Sequence, residues 1–464
     1  MAKRVAPKTS GDNLSAVQLM NLIRNNASAE YQSLVPLADE TDESARSIGT
    51  VFRNYPSILG EYLKYMWTMC VSQRVFYREY HSPFGGAFYK GELEVGETVQ
   101  DIFVELCKAH EYDPEDAETS VWKREAPDVR SIFYPLNYRK YYKQTIQETD
   151  IDLYFTSWSG VSRLTDIITA RMYNSAEYDE YQTTLYLIGR SLLDGNMLTA
   201  QSPAKTTEDY EPSDLTEAIV AVSDDMTLMG TKYNIAKVHN HTPKEDQFIL
   251  GTPKFWASQN VKVLAQAYNM DRAEFSGHHI TVNSFADLDT ERLNALFVKD
   301  PGYKEIGSSD LESLAKCDCF ILDREWLQFY YKYNKFVTDP YNGDGLYYSM
   351  KYHVGRVFGV SPFANAVAMV EGVPTVTSVT VSPKSLVMSG GTSAKITATV
   401  QTTNFAPQTV SWSITDGEEY ATITRDGTVT VLSTAPASTS ITVTATSTFD
   451  TSKKDTCTIT TPAA

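Results

Sequence analysis

The sequence predicts an α+β fold for residues 1–373 and a separate all-β sandwich for residues 374–464. Three observations lead to this division. Residues 161–193 repeat apolar side chains at three- and four-residue steps without a proline, which is typical of one long helix. Residues 72–149 alternate short strand patterns with charged turns. At Pro374 the composition then changes abruptly, and 25 of the last 91 residues are threonine.

Two helical regions precede the long helix. Residues 1–12 are polar, and Asn13 or Ser15 is a candidate cap for a short amphipathic helix that follows. A second helical region is expected from Ser47 to Val71, with Pro56 as its start or as a kink. The first region is expected to be an arm with one apolar segment, and the second is expected to pack on the long helix.

Residues 72–149 are expected to form a projecting, hairpin-like loop. Neither face of the strand pattern QRVFYREY is purely apolar, so few sites in this segment could fill a core. A two-stranded excursion is marginally stable alone and normally lies on another surface. We therefore expect this loop to dock on a neighbouring subunit, with some helix between Thr98 and His110.

The long helix has recognisable ends. Ser159 is a candidate N-cap, and Gly195 lies where helices commonly end in a left-handed residue. The 33 residues would span about 50 Å. An alternative is two core helices broken near Asn174 and Ser175. Three acidic residues are expected on the water-exposed face: Glu177, Asp179 and Glu180.

From about residue 200 to 330 helix and strand patterns alternate, which indicates an α/β block. Ser213 begins a helix, and Thr252 followed by Pro253 is a helix start after a strand. The remaining expected elements are strands at Gln247–Gly251, His278–Phe285 and Cys319–Asp323, a helix at Val261–Asn269, and the apolar segment Leu293–Val298.

The last 91 residues read as a small β-sandwich. Short β-branched strands recur between turns: VTSVTVSP, SAKITATV, QTVSWSIT, YATITRDGTVTVL, SITVTATS and CTITTP. This region contains one cysteine, Cys457, so no disulfide can join its two sheets. Trp412 is therefore expected to be the main side chain of its core.

Charge and composition exclude several classes of function. The formal net charge is −17, and a surface this acidic repels phosphate, which argues against a nucleic-acid-binding protein unless a local basic patch is present. The 29 tyrosines suit broad contact surfaces and hint at assembly. The five scattered cysteines are expected to be free thiols in a reducing cytosol. No export signal or membrane span is expected.

No catalytic, cofactor or metal site is expected. The clusters with metal-ligand character are His239-x-His241, His278-His279 and Cys317-x-Cys319, and none has zinc-like spacing. No phosphate-binding loop or nucleophile motif occurs. The acidic groups at 113–118 and 177–180 could pair as acid and base, but solvated helix faces and loops are a commoner explanation.

Six segments within residues 30–373 carry a resemblance to a known family: VPLA at Val35, REAPDVRSIFY at Arg124, YKQTIQ at Tyr142, MYNSAEYDEY at Met172, VLAQAYNMDRAEF at Val263 and VSPFANAVAMVEG at Val360. Through these segments, which together cover most of that range, the chain resembles the major capsid protein family of small tailed bacteriophages, the podoviruses of the Picovirinae group. The last 91 residues contain VTSVTVSP, VSWSI, DGTVTV, ITVTATS and SKKDTCTIT, and through these they separately resemble a bacterial Ig-like domain of group 2.

The resemblance implies the tailed-phage capsid fold known as the Johnson fold, with a long spine helix and an extended E-loop. In that scheme the chain divides into the following parts: an N-terminal arm (1–47), a capsid domain (48–373) that contains the E-loop (72–149), the spine helix and peripheral domain (150–200), the axial domain (201–340) and a return to the peripheral domain (341–373), and the Ig-like domain (374–464).

The implied function is a major head protein that assembles into an icosahedral or prolate shell around double-stranded DNA. The implied partners are other copies in hexamers and pentamers, a separate scaffolding protein and a portal protein at one vertex, with DNA enclosed but not specifically bound. The Ig-like domain would decorate the exterior and contact the host surface weakly. The alternative is a bacterial cell-surface or wall-binding protein, because such proteins often carry Ig-like modules.

Overall fold

A computed structural model describes residues 16–73, 81–94, 96–110, 127–147, 155, 158–203, 212–259 and 278–462. The α+β class and the separate all-β C-terminal region are confirmed. The helices of the described residues are α1 (Ala16–Asn26), α2 (Ala29–Leu34), α3 (Asp42–Asn54), α4 (Pro56–Gln73), α5 (Gly85–Phe88), α6 (Trp158–Leu193), α7 (Pro212–Met226), α8 (Pro253–Ser258), α9 (Thr290–Phe297) and α10 (Ser308–Leu314).

The strands before the C-terminal region are β1 (Tyr89–Glu92), β2 (Val99–Val104), β3 (Val129–Tyr134), β4 (Tyr138–Gln147), β5 (Leu198–Ser202), β6 (Gln247–Gly251), β7 (His279–Thr281), β8 (Cys317–Asp323), β9 (Leu327–Thr338), β10 (Tyr347–Val360) and β11 (Ala366–Glu371). Most of them form two sheets. One has the order β1-β9-β10-β4 and the other has the order β5-β11-β8-β6-β7.

The long helix α6 is continuous over 36 residues, about 54 Å. The alternative of a break near Asn174 is wrong. The helix ends as expected, because Gly195 has a φ of +67° and its amide donates a hydrogen bond to the Leu192 carbonyl. Its start differs from the prediction, since Ser159 lies inside the helix and not at its N-cap.

The four-stranded sheet and the N-terminal helices enclose one core. Tyr31, Phe52, Tyr62 and Phe155 pack together, with ring centroids 5.1–6.2 Å apart. Gly49 is required here, because a Cβ at this position would lie 2.7 Å from the Cβ of Phe155. Residues from Ala16 onward are therefore part of a packed core, and Pro56 begins α4 instead of kinking a longer helix.

The five-stranded sheet forms the second core with the C-terminal half of α6. Strand β6 is buried along its whole length, and Thr252 caps α8 by accepting a hydrogen bond from the Phe255 amide, as predicted. The predicted helix after Ser213 is α7, the predicted strand from His278 is shorter, and the apolar segment from Leu293 lies mostly in α9. The helix predicted at 261–269 lies outside the described residues.

Residues 72–149 differ from the prediction in two ways. The helix expected between Thr98 and His110 is wrong, because β2 occupies Val99–Val104 and pairs with β3. The expectation that the segment lacks a core is also wrong. Phe84 and Phe88 are buried against the five-stranded sheet and Tyr138 against the four-stranded one. Among the described residues of this segment, the separate two-stranded part consists of β2 and β3.

The C-terminal region is the predicted sandwich. Its core consists of small aliphatic side chains, and Trp412 is only partly buried at its margin, so the expectation for Trp412 is wrong. The alternation of Val, Ile and Ala along several short strands fills the core without a large aromatic side chain. The strands are β12 (Thr375–Ser382), β13 (Ser385–Val387), β14 (Ser393–Lys395), β15 (Thr397–Thr403), β16 (Val410–Asp416), β17 (Ala421–Ile423), β18 (Thr428–Val431), β19 (Ser440–Ser447) and β20 (Lys454–Thr460).

Candidate functional site

The β2–β3 ribbon (residues 99–105 and 128–134) is the candidate functional site. Its two strands run antiparallel, with Val99 opposite Tyr134 and Val104 opposite Val129. Successive side chains on a strand point to opposite faces, so the ribbon has an inner face toward its own chain and an outer face toward solvent. The two faces differ in chemistry.

The inner face holds the ribbon on its own subunit. The rings of Phe103 and Phe363 stack with centroids 5.7 Å apart. The Tyr134 hydroxyl lies 3.3 Å from the backbone carbonyl of Val360, and Arg130 donates to the backbone carbonyl of Ala236 at 2.6 Å. These contacts fix the direction in which the ribbon projects.

The outer face carries large apolar side chains that are exposed to solvent. Ile102 and Phe133 are each 60% exposed, and Val104 and Val129 are also mostly exposed. Val104 and Val129 lie directly opposite each other, while Ile102 is the diagonal neighbour of Phe133 and of Val129, at about 7–8 Å. These apolar side chains form one patch that Leu106 extends, and Gln100 and Ser131 lie on the same face. Contiguous exposed apolar patches usually mark interaction sites. Sequence analysis did not single out these residues, although the i, i+2 spacing in VQDIFV and VRSIFY contains the signal.

The far end of the ribbon is held by charges. The His239 Nδ1 lies 2.5 Å from the Glu105 carboxylate, and this hydrogen bond lowers the pKa of Glu105. Asp128 accepts hydrogen bonds from Arg425 at 2.8 Å and from Arg130 at 3.1 Å, which hold the pKa of Asp128 below its usual range. Arg425 belongs to the C-terminal sandwich, so the sandwich contacts the ribbon directly.

The C-terminal sandwich also contacts the end of α6. The Gln408 amide lies 3.4 Å from the Gly195 carbonyl, and Phe405 packs against the core of the five-stranded sheet. A Cβ on Gly195 would lie 2.7 Å from the Gln408 backbone nitrogen, so the two chain segments touch closely. The sandwich that the sequence predicts as a separate domain is therefore docked on the rest of the chain.

The acidic residues of α6 are buried, which corrects the expectation of a water-exposed face. Glu177, Asp179 and Glu180 are only 8%, 1% and 2% exposed. Glu180 pairs with Arg356 at 2.5 Å, and Asp179 pairs with Arg292. Burial raises the pKa of Glu180 to about 7, while the positive charge of Arg356 acts in the opposite direction.

These carboxylates join α6 to its surroundings. The Tyr142 hydroxyl of β4 donates to Asp179 at 2.7 Å. The Arg356 guanidinium of β10 lies 3.9 Å from the ring centroid of Tyr331 on β9. The buried charges of Asp179 and Glu180 are tolerated because each carboxylate has a cation and a hydroxyl as partners. Glu177 accepts a hydrogen bond from the Ser82 amide. The arrangement is therefore a structural link between the long helix and the four-stranded sheet.

The clusters with metal-ligand character do not converge. His239 pairs with Glu105, while Cys317 and Cys319 are buried alternate residues of β8. Among the residues that the structure describes, no group of three or more His, Cys, Asp or Glu side chains could hold a metal ion. Among the described cysteines, Cys107 and Cys457 are free thiols. The acidic group at 113–118 lies outside the described residues.

Comparison with known proteins places these features in a family. The family model of the Phi29-like phage major capsid protein matches residues 20–370. The chain belongs to the Phi29-like phage major capsid protein family. The bacterial Ig-like domain of group 2 matches residues 375–459, which contain strands β12–β20 except for one terminal residue. The predicted resemblance is confirmed in both parts.

Individual relatives agree with the family. The major capsid protein of Bacillus phage PZA is 29% identical over 427 residues, which cover 91% of this chain and 88% of that protein. The major capsid protein of Bacillus phage B103 is 30% identical, with the same coverage of both chains. The capsid structure of Staphylococcus phage Andhra is a weaker match, with 17% identity and a TM-score of 0.48 over 64% of this chain and 86% of that chain.

The protein is therefore a bacteriophage major capsid protein, and it is located in the capsid of the virion. Its copies assemble into a multimeric shell. The helices in the described part of the capsid protein include none with the length and apolar character that crossing a bilayer requires.

Proposed function

We propose that the β2–β3 ribbon is the arm through which each capsid subunit binds its neighbour. The observation that supports this proposal most strongly is the apolar outer face. It leaves Ile102, Val104, Val129 and Phe133 exposed in the isolated subunit while the inner face is fully engaged. A second copy that covered this face would bury the patch.

We extend the proposal to the parts of the chain as the sequence suggested them. Residues 1–47 form the N-terminal arm and 72–149 the E-loop, of which the ribbon is the projecting part. Helix α6 is the spine helix of a peripheral domain that comprises 150–200 and 341–373, and residues 201–340 form the axial domain. The five-stranded sheet and its helices support the axial assignment, because most of their residues lie in that range.

The proposed shell is built from hexamers and pentamers, with a scaffolding protein during assembly and a portal protein at one vertex. The role is structural and not catalytic. A net charge of −17 supports a wall that encloses DNA without binding it tightly, since non-specific DNA binding depends on Lys and Arg contacts to phosphate. The Ig-like domain would lie on the exterior and contact the host surface weakly through many copies.

The proposal is tested by making the outer face polar. Because these side chains are exposed, the triple variant Ile102→Ser, Val104→Thr and Phe133→Ser should fold normally and fail to form shells in sedimentation. Wild-type assembly by this variant would refute the proposal. Deleting residues 83–90 is a poor test, because Phe84 and Phe88 are buried and their loss would disrupt the core.

A further inference from the structure

The four-stranded sheet has one open face that is basic, in contrast to the acidic chain. Strands β4, β9 and β10 contain seven Lys and Arg residues and no Asp or Glu. The opposite face of this sheet packs on α4 and α6 in the first core. The open face is therefore available to a partner.

Cross-strand register places the cations of the open face together. Tyr141 of β4 lies opposite His353 of β10, which lies opposite Lys335 of β9. One row further along, Lys143 lies opposite Lys351. Residues directly opposite each other on adjacent strands share a face. We call the following set the basic sheet face: Arg139, Tyr141, Lys143, Lys335, Lys351 and His353.

The cations that point elsewhere already have partners, and most of those on this face do not. Lys140 pairs with Asp300 and Arg356 pairs with Glu180, both away from the open face. On the basic sheet face, Lys351 pairs with Asp339. In the part of the chain that the structure describes, the exposed side chains of Arg139, Lys143 and Lys335 form no ion pair with a carboxylate. The face thus carries uncompensated positive charge.

We propose that the basic sheet face binds the acidic connector, residues 111–118, of an adjacent copy of this chain. The connector has the sequence EYDPEDAE, with five carboxylates and no cation. It joins β2 to β3, so it belongs to the same arm as the apolar outer face. The inference rests on the proposed function and names the surface of the neighbour that receives the arm.

Length and charge both fit this occupant. Between Glu105 and Asp128, which still pair through their backbones, lie 22 residues. Half of them, fully extended, would reach about 35 Å beyond the ribbon, enough to pass onto another subunit. The exposed ring of Tyr141, 57% exposed and stacked on His353, gives the face an apolar area beside its charges. Complementary charges of this kind select the partner and fix its position.

Two charge-reversal variants and their combination in one chain test the proposal. Each variant alone should form shells with a yield at least about tenfold lower than wild type at physiological salt, because like charges meet at every contact. Combined in one chain, the two sets of reversals should restore assembly, since every reversed connector then meets a reversed sheet in hexamers and pentamers alike. The sheet variant is Arg139→Glu, Lys143→Glu and Lys335→Glu, and the connector variant is Asp113→Lys, Glu115→Lys and Asp116→Lys.

The matched control reverses three exposed lysines elsewhere and should assemble like wild type: Lys254→Glu, Lys299→Glu and Lys316→Glu. If the chain that carries both sets of reversals assembles no better than either single variant, pairing of the connector with the sheet is refuted. Normal assembly of the sheet variant with reduced DNA content would overturn the proposal in favour of nucleic acid as the occupant. If the sheet variant assembles normally while the polar outer-face variant does not, this inference fails and the ribbon's proposed role stands.

Discussion

Replacing Phe133 by Asp should weaken each contact between subunits strongly and leave the subunit itself stable. A Phe side chain presents roughly 200 Å². Because Phe133 is 60% exposed, about 120 Å² remains for a neighbour to cover. At 25 cal/mol per Å² this burial would contribute about 3 kcal/mol, or roughly a hundredfold in the association constant of each contact. A carboxylate at this position would add a desolvation penalty.

Light scattering over a series of protein concentrations measures this effect as the critical concentration for shell formation. The Phe133→Asp variant should need a concentration on the order of a hundredfold higher to form shells. The free energy of unfolding of its subunit should stay within about 0.5 kcal/mol of the wild-type value. Val387→Asp is the matched control, because Val387 is equally accessible but lies on the Ig-like domain. An unchanged critical concentration for Phe133→Asp would show that the outer face is not an assembly contact.

Three further substitutions test other parts of the molecule. Arg356→Ala should destabilise the subunit by roughly 3–5 kcal/mol in urea unfolding, because it leaves the buried Glu180 carboxylate without its cation. Arg425→Glu places a like charge at Asp128, so proteolysis of the linker between the two domains should become faster. Ile441→Ala should destabilise the Ig-like domain by about 2–5 kcal/mol, because its side chain is fully buried.

Each of these outcomes has a control. Replacing both Glu180 and Arg356, by Leu and Met, should destabilise the subunit much less than Arg356→Ala, and an equal loss would show that packing and not charge explains the effect. Lys454→Glu reverses an exposed charge on β20 of the same domain and should leave the proteolysis rate unchanged. Trp412→Ala should cost less than a fully buried Trp would, since its ring is only partly buried.

Local patterns predicted the elements whose structure depends on near neighbours in the chain. The apolar spacing of α6, its Gly195 terminus and the Thr252 cap all depend on residues within one or two turns, so the sequence contains them directly. The sandwich strands follow from β-branched alternation for the same reason. The sequence alone therefore predicts these helix limits and strands.

Features that depend on distant partners were not predictable in this way. The helical period identifies the face on which Asp179 and Glu180 lie, but not the buried cations that meet them from positions 113 and 176 residues further along the chain. Strand β2 was mistaken for helix because its partner β3 begins 25 residues after β2 ends. The apolar outer face was missed because five exposed side chains are informative only once the two strands are aligned.

Electron cryo-microscopy of assembled shells is the most direct test of the ribbon as the contact between subunits, because it locates the ribbon relative to every neighbouring chain. Phe133 and Ile102 should lie within about 4.5 Å of apolar atoms of an adjacent subunit. The inner-face contact between Phe103 and Phe363 should be retained within each chain. A shell in which the outer face remains exposed to solvent, or contacts only its own chain, would show that the ribbon does not join subunits.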